Sequence, residues 1–280
     1  LDVSSGGGEE AGGKLDFQVA GSLQLDGGLQ AQGGSADLDV GGFAKNASFD
    51  TLMDKLMAAG VSDALSVRAR QGNIQQVSGH RIKAAAIKLA ADKGDVIIDG
   101  TLDADGKSGA GSVELYAGDR INVNKNALIS AQGSNAGSRG GDILLSATDA
   151  DHDGKSGIGI NEGAQIDVSG GNSGVGGDIV LRALRKGQDG IGIDKINGTV
   201  QKGFSHFYAE GVKKYSNNSE YGDPLSGNDN TIDQADIDLI RDETAAYMNP
   251  GTMAKVAGAL GKGIQLRPGV EIDYQGDLTL

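Results

Sequence analysis

The chain has 280 residues, of which 48 are Gly and 3 Pro, with no Cys and no Trp. Glycine stands at more than twice its ordinary share of ~7%, yet without a Gly-X-Y period, so collagen is excluded and a fold rich in turns is required. Lys and Arg total 25 against 38 Asp and Glu, a net charge of −13, which repels phosphate and argues against nucleic acid, while the lack of thiols excludes disulfide frameworks and thiolate chemistry.

No apolar run approaches the ~20 residues of a membrane-spanning helix. An absence of Cys suits either the cytosol or a chain that crosses a membrane unfolded. No signal peptide is visible before the strand-like Leu1-Asp2-Val3. The far end, Leu278-Thr279-Leu280, is also strand-like, and both ends read as cut from a longer chain.

Self-similarity is the first signal along the chain. Leu1-Asp2-Val3, a Ser/Gly run, Gly12-Gly13-Lys14 and Leu15-Asp16-Phe17 form a first copy, and Leu29-Gln30-Ala31 starts another. Residues 43–64 interrupt the pattern. There Phe49, Leu52, Met53, Leu56 and Met57 recur at helical spacing, with Ser48 as N-cap and Gly60 as stop, predicting a helix packed by its apolar face. Pairs of period two then follow in threes. Val67/Ala69 leads Ile74 and Ile82. Ile87/Leu89 precedes Val96/Ile98 and Leu102/Ala104. Val113/Leu115 precedes Ile121/Val123 and Ile129/Ala131. Ile143/Leu145 precedes Ile158/Ile160 and Ile166/Val168. Ile179/Leu181 precedes Ile191/Ile193 and Val200.

Each set predicts three short half-buried strands joined by Gly, Asn, Asp and Ser turns. Three strands per repeat describe one triangular coil of a parallel β-helix, each coil stacked about 4.8 Å from the last. The leading strands at Val67, Ile87, Val113, Ile143 and Ile179 stand at widening intervals, since outward turns lengthen at little entropic cost. A β-sandwich, the alternative, does not require self-similar triplets. The expected fold is therefore all-β: a parallel β-helix, or solenoid, with two mainly helical insertions. Coils occupy 1–42 and 65–203, and the pattern resumes over 262–280 with Ile264/Leu266, Val270/Ile272 and Leu278/Leu280.

The second insertion, 204–261, carries Phe204, Phe207, Tyr208, Tyr215, Tyr221 and Tyr247. These rings form either a small core or a recognition surface, and Phe207, Tyr208, Tyr215 and Tyr221 are the candidates for partner binding. Thr231 to Gln234 reads as a capping box opening a helix through Leu239 and Ile240 to Met248, ended by Asn249-Pro250. Thr252 reads as the cap of a second helix closed by Gly261.

Two segments that follow glycine turns, Gly140-Gly141-Asp142-Ile143-Leu144-Leu145-Ser146-Ala147 and Gly176-Gly177-Asp178-Ile179-Val180-Leu181-Arg182-Ala183, resemble the repeats of filamentous-haemagglutinin-type exoproteins. The resemblance covers 1–42, 65–203 and 264–280. It implies a right-handed β-helix, export by two-partner secretion, and a place outside a Gram-negative cell, secreted or on its surface. The family includes adhesins, carriers of contact-dependent toxins and haem-scavenging exoproteins, so the resemblance speaks for architecture more than for one function. The family's N-terminal secretion domain and a C-terminal toxin are not recognisable, which implies an interior stretch of the shaft.

The best metal candidate is Asp149, Asp151 and Asp153, followed by Gly154 and Ser156. Carboxylates at i, i+2 and i+4 before a Gly match the start of a calcium loop. Ile160 stands at the twelfth position in place of the bidentate Glu, and Glu162 comes two residues late. Asp103 and Asp105 before Gly106 are a weaker relative. Ile232-Asp233-Gln234-Ala235-Asp236-Ile237 resembles the second half of a dockerin-type calcium loop, but an acidic helix N-terminus explains it better.

Catalysis has little support: the predicted coils are nearly free of rings, and His80, His152 and His206 are scattered. The expectation is a non-enzymatic structural and adhesive segment of a large secreted fibre. Its partners are neighbouring coils and a cell-surface glycan or protein, and Ca2+ is its one expected cofactor. A purely structural matrix or filament component and a β-helical polysaccharide-active enzyme are the alternatives.

Overall fold

The computed structural model describes residues 1–4, 12–43, 49–106, 111–201, 203–219, 222–225, 231–261, 263–274 and 276. The chain begins with β1 (Lys14–Val19), β2 (Ser35–Val40) and α1 (Phe49–Ala58). Four rounds of three strands follow. The first is β3 (Ala64–Ala69), β4 (Ile74–Gln76) and β5 (Arg81–Lys83), and the second β6 (Ala86–Ala91), β7 (Val96–Ile98) and β8 (Thr101–Asp103). The third is β9 (Ser112–Ala117), β10 (Arg120–Val123) and β11 (Leu128–Ser130), and the fourth β12 (Asp142–Ala147), β13 (Gly157–Ile160) and β14 (Gln165–Asp167). Then come β15 (Asp178–Lys186), β16 (Gly190–Ile191), β17 (Thr199–Val200) and β18 (His206–Ser216). Last are α2 (Gln234–Tyr247), α3 (Pro250–Leu260) and β19 (Gln265–Asp273).

The structure is built mostly of parallel β-sheet. The largest sheet runs β1-β2-β3-β6-β9-β12-β15-β18-β19, the second β4-β7-β10-β13 and the third β5-β8-β11-β14-β17. Each round adds one strand to each sheet in chain order. Strand alternation sends every second side chain between the sheets, and the register aligns these into columns. One column is Leu15, Ala36, Leu65, Ile87, Val113, Ile143, Ile179 and Phe207. The next is Phe17, Leu38, Val67, Leu89, Leu115, Leu145, Leu181, Ala209 and Leu266. Ile74, Val96, Ile121 and Ile158 line the second sheet, and Ile82, Leu102, Ile129, Ile166 and Val200 the third. Nearly all of these residues are buried, in one continuous core.

The register corrects two sequence expectations. Leu65, not Val67, pairs with Ile87, so the first interval is longer than the sequence pattern suggests. Ile191 lies in a short antiparallel hairpin of β16 on β15, and only Ile193 reaches the second sheet, bridging to Ile158. The hairpin forms because Gly187 takes φ +64° and folds the end of β15 back on itself.

Close approach explains the repeated Gly-Gly-Asp. A Cβ on Gly141 would lie 2.0 Å from the Gly111 carbonyl oxygen, and one on Gly177 would lie 1.7 Å from that of Gly141. These glycines sit where the chain turns into the large sheet and each round's backbone rests on the previous one, so any side chain would push the rounds apart.

A helix covers the first strands of the two smaller sheets, and two helices pack on the last strands of the large one. Helix α1 packs on β4 and β5, burying Phe49, Leu52, Met53 and Leu56. Gly60 follows it at φ +92°, and the expected cap Ser48 lies outside the described residues. Asp50, also buried, accepts a hydrogen bond from the Val77 amide, and burial raises its pKa. At the other end, α3 packs on β16 and β19, and α2 on β19. The caps differ from expectation. Asp233, not Thr231, caps α2, in a reciprocal box with Asp236. Asn249, not Thr252, caps α3, and Pro250 follows at its first turn; Thr252 is buried within the helix. The acidic Ile232–Ile237 segment is thereby spent on capping.

The helical insertion predicted from 204 begins later. His206–Ser216 is a strand of the large sheet, paired with β15 and β19. Residues 265–273, expected as separate short strands, form the single strand β19, in which Pro268 is tolerated because, among the described residues, β19 pairs on one side only. Leu278 and Leu280 lie outside the described residues.

One substitution made at two glycines has opposite expected signs. Gly177→Ala costs about 1–3 kcal/mol by forcing overlap. Gly258→Ala, on α3 with open space around it, adds roughly 0.5–1 kcal/mol. Urea denaturation of the two variants checks this. Leu115→Ala, at a fully buried column position, is expected to cost about 2–5 kcal/mol in the same assay.

Candidate functional site

The acidic turn after β12 is anchored before it projects. Thr148 and Ala150 donate their amides to the carbonyls of Ala117 and Gly118 one round earlier. Beyond them the chain reverses at His152, φ +58°, and Gly154, φ +75°. Short side-chain-to-backbone bonds hold the turn. Asp149 accepts from the Gly154 amide, Asp151 from that of Asp153, and Asp153 from that of Lys155. One carboxylate oxygen from each of Asp149, Asp151 and Asp153 lies within 4.8 Å of the others. Ser156 is buried at the far end of the turn.

This clustering has an electrostatic cost. Asp119, beneath the turn, has its pKa raised by burial and then by Asp95, Asp151, Asp153 and Asp149. One oxygen each of Asp119 and Asp149 is buried without a hydrogen-bond partner among the described residues. Lys155 relieves part of the repulsion by pairing with Asp153 and lowering its pKa. Hard carboxylate oxygens at this separation could hold one divalent cation.

The weaker pair is used differently. Asp103 is buried and ion-paired with both Arg81 and Lys83, and its other oxygen accepts from the Asp105 amide. Hydrogen bonding and these cations outweigh its desolvation, and its pKa is lowered. Asp105 accepts from the Ser130 hydroxyl and the Gln132 amide. Both carboxylates are occupied in tying neighbouring rounds together.

The candidate partner-binding rings do not form one surface. Phe207 is 3% exposed and Tyr215 1%. Strand alternation carries Phe207 into the core, where Phe204 meets it edge-to-face at 5.7 Å. The Tyr215 hydroxyl donates to Glu243 at 2.6 Å, and burial followed by that bond pushes its pKa up. Tyr208 is half-buried on the outer face, stacked on His206, with the Arg267 guanidinium 4.5 Å above it. Tyr221 lies outside the described residues.

Asp119 escaped the sequence reading although a signal existed. It follows Ala117 by the same offset as Asp149 follows Ala147, and those alanines are register partners. Aligning the rounds, instead of scanning for a linear motif, brings the two acids together. No known family, curated protein or solved structure matches the chain.

Because burial and its acidic neighbours raise the Asp119 pKa, its proton-linked stability is present below the unfolded value of 3.8 and is lost as pH rises through the folded value. Asp119→Asn is therefore expected to raise the thermal midpoint near neutral pH, and the gain should shrink as pH is lowered toward about 4. Melting curves across that range measure it.

Proposed function

We propose that the chain is a stretch of right-handed parallel β-helix of the filamentous-haemagglutinin type, a rigid adhesive scaffold in a large fibre secreted to a Gram-negative surface. The observation that carries this reading is the ordered addition of one strand per round to three parallel sheets around continuous apolar columns. That arrangement satisfies most strand backbone groups between rounds and gives stiffness without disulfides. The large sheet extends past the smaller two at both ends, leaving β1 and β19 as edges on which further coils of the same fibre can pair. No described helix is long and apolar enough to cross a membrane, which agrees with a fibre attached by other means.

In this reading α2, α3 and the acidic turn are the displayed parts. Ile237 and Met253 are exposed on the two helices and offer an apolar contact for a cell-surface protein or glycan. Burial of Phe207 and Tyr215 favours a second reading, a filament component that binds no receptor. Calcium is the proposed ligand of the acidic turn, where it would neutralise Asp149, Asp151 and Asp153 and the strained charge of Asp119.

The test is binding of the fragment to glycans, matrix proteins and whole cells, beside an Ile237→Glu/Met253→Glu variant. Binding that the variant loses supports adhesion through the helices. No binding by either form supports the purely structural fibre. A left-handed winding in an experimental structure overturns the family assignment. Millimolar calcium is expected to raise the thermal midpoint of the wild type and not of Asp151→Asn; an equal response in both removes calcium from the turn.

A further inference from the structure

Between the end of β15, β18 and α2 lies a cavity of about 900 Å³, bordered on another side by the acidic turn. This is in the range of small-molecule sites. Its charged lining is mostly neutralised within the protein. Lys213 pairs with Asp223 and Glu243, Lys214 with Glu271 and Asp273, and Asp189 with Lys255. Arg185 differs. It faces the cavity half-exposed, yet among the described residues no carboxylate pairs with it. Its Nε donates to the Gly211 carbonyl at 3.1 Å, and one terminal nitrogen is buried without a partner. Its other compensation comes from the Tyr247 ring, 4.2 Å from the guanidinium, and from the more distant Tyr215 and Glu243.

The fold makes room for this pair. Along the large sheet the column Ala69, Ala91, Ala117, Ala147 and Ala183 reaches Gly211 in β18. A Cβ there would lie 2.2 Å from the Tyr247 hydroxyl. Glycine at this one step admits Tyr247, which is 2% exposed and whose hydroxyl also lacks a partner. Tyr247 in turn backs Arg185 against the cavity. A guanidinium held over a ring, with a terminal donor unused and no carboxylate within ion-pair distance among the described residues, is prepared for an anion.

The surrounding carboxylates narrow the choice. Asp149, Asp189, Asp223 and Glu243 border the cavity and disfavour phosphate or any other dianion. Three of them are already paired with lysines, so they offer acceptor lone pairs to hydroxyl groups and do not require a second cation. We propose that this cavity binds a small monocarboxylate carrying hydroxyl groups, of the sugar-acid class, with its carboxylate on Arg185 and its hydroxyls on the acidic rim. The inference is independent of the fibre reading, since it rests on Arg185, Tyr247, Gly211 and the acidic rim of the cavity.

The test is an amide-resolved NMR titration of the whole chain with glucuronate, glucose, alanine and inorganic phosphate. Glucuronate is expected to give saturable shifts at Gly187, Gly211 and Gly222, with at least tenfold weaker responses to the other three. Arg185→Lys keeps the charge and removes the planar fork, and is expected to weaken glucuronate binding about tenfold or more. Amide positions at remote buried columns, such as Leu89 and Leu115, that match the wild type in Arg185→Lys show that the variant folds, so that a loss of binding is not misfolding. The proposal is overturned by no saturable shift with glucuronate at tens of millimolar, by equal binding of glucose or phosphate, or by an Arg185→Lys variant that binds as well as the wild type. A stronger response to alanine also overturns it, by making the ligand an amino acid.

Discussion

The spacing of parallel strands governs this structure. Neighbouring rounds must sit about 4.8 Å apart for their amides and carbonyls to bond, and this has to hold at the corners as well as along the strands. The strands meet it through columns of Ile, Val, Leu and Ala that stack on their like. The corners meet it only where side chains are removed, as at Gly111, Gly141 and Gly177. Much of the high glycine content follows from backbone resting on backbone, and only part from turns that need positive φ.

The same constraint shows where variation is permitted. Turns that point outward can lengthen, and the acidic turn at 148–156 and the long connection from Ser216 to Gln265 do so without disturbing the columns. Because β18 and β19 are parallel, the chain between them must travel back the length of the sheet. Elsewhere strands of the two smaller sheets make that return. Here α2 and α3 do, closing one end of the core as α1 closes the other. The cavity beside Arg185 lies at this junction because helices and strand ends do not mesh as strands do in a column.

The candidate site was legible in part. The spacing of Asp149, Asp151 and Asp153 announces a carboxylate cluster, and the structure brings those oxygens together. The similar spacing of Asp103 and Asp105 ends differently, because Arg81 and Lys83 reach Asp103 and Ser130 reaches Asp105 from neighbouring rounds. A linear motif carries no information about what lies one round away. The aromatic residues fail as a surface for a related reason. Composition sets Phe207 and Tyr215 apart from a ring-poor chain, but strand parity decides which way each faces, and parity is known only when the strand is.

What the sequence determined by itself is the local and repetitive part: triplets of short alternating strands, the helix over 49–58, and the acidic turn. Each rests on interactions within a few residues or on a pattern that repeats, so a single chain displays it. The tertiary structure alone decided the register that pairs Leu65 with Ile87, the absorption of His206–Ser216 into the large sheet, and the meeting of Arg185, Gly211 and Tyr247. Those depend on contacts between residues far apart in the chain, where a one-step shift in register would exchange inside for outside, and no local preference is strong enough to announce that choice.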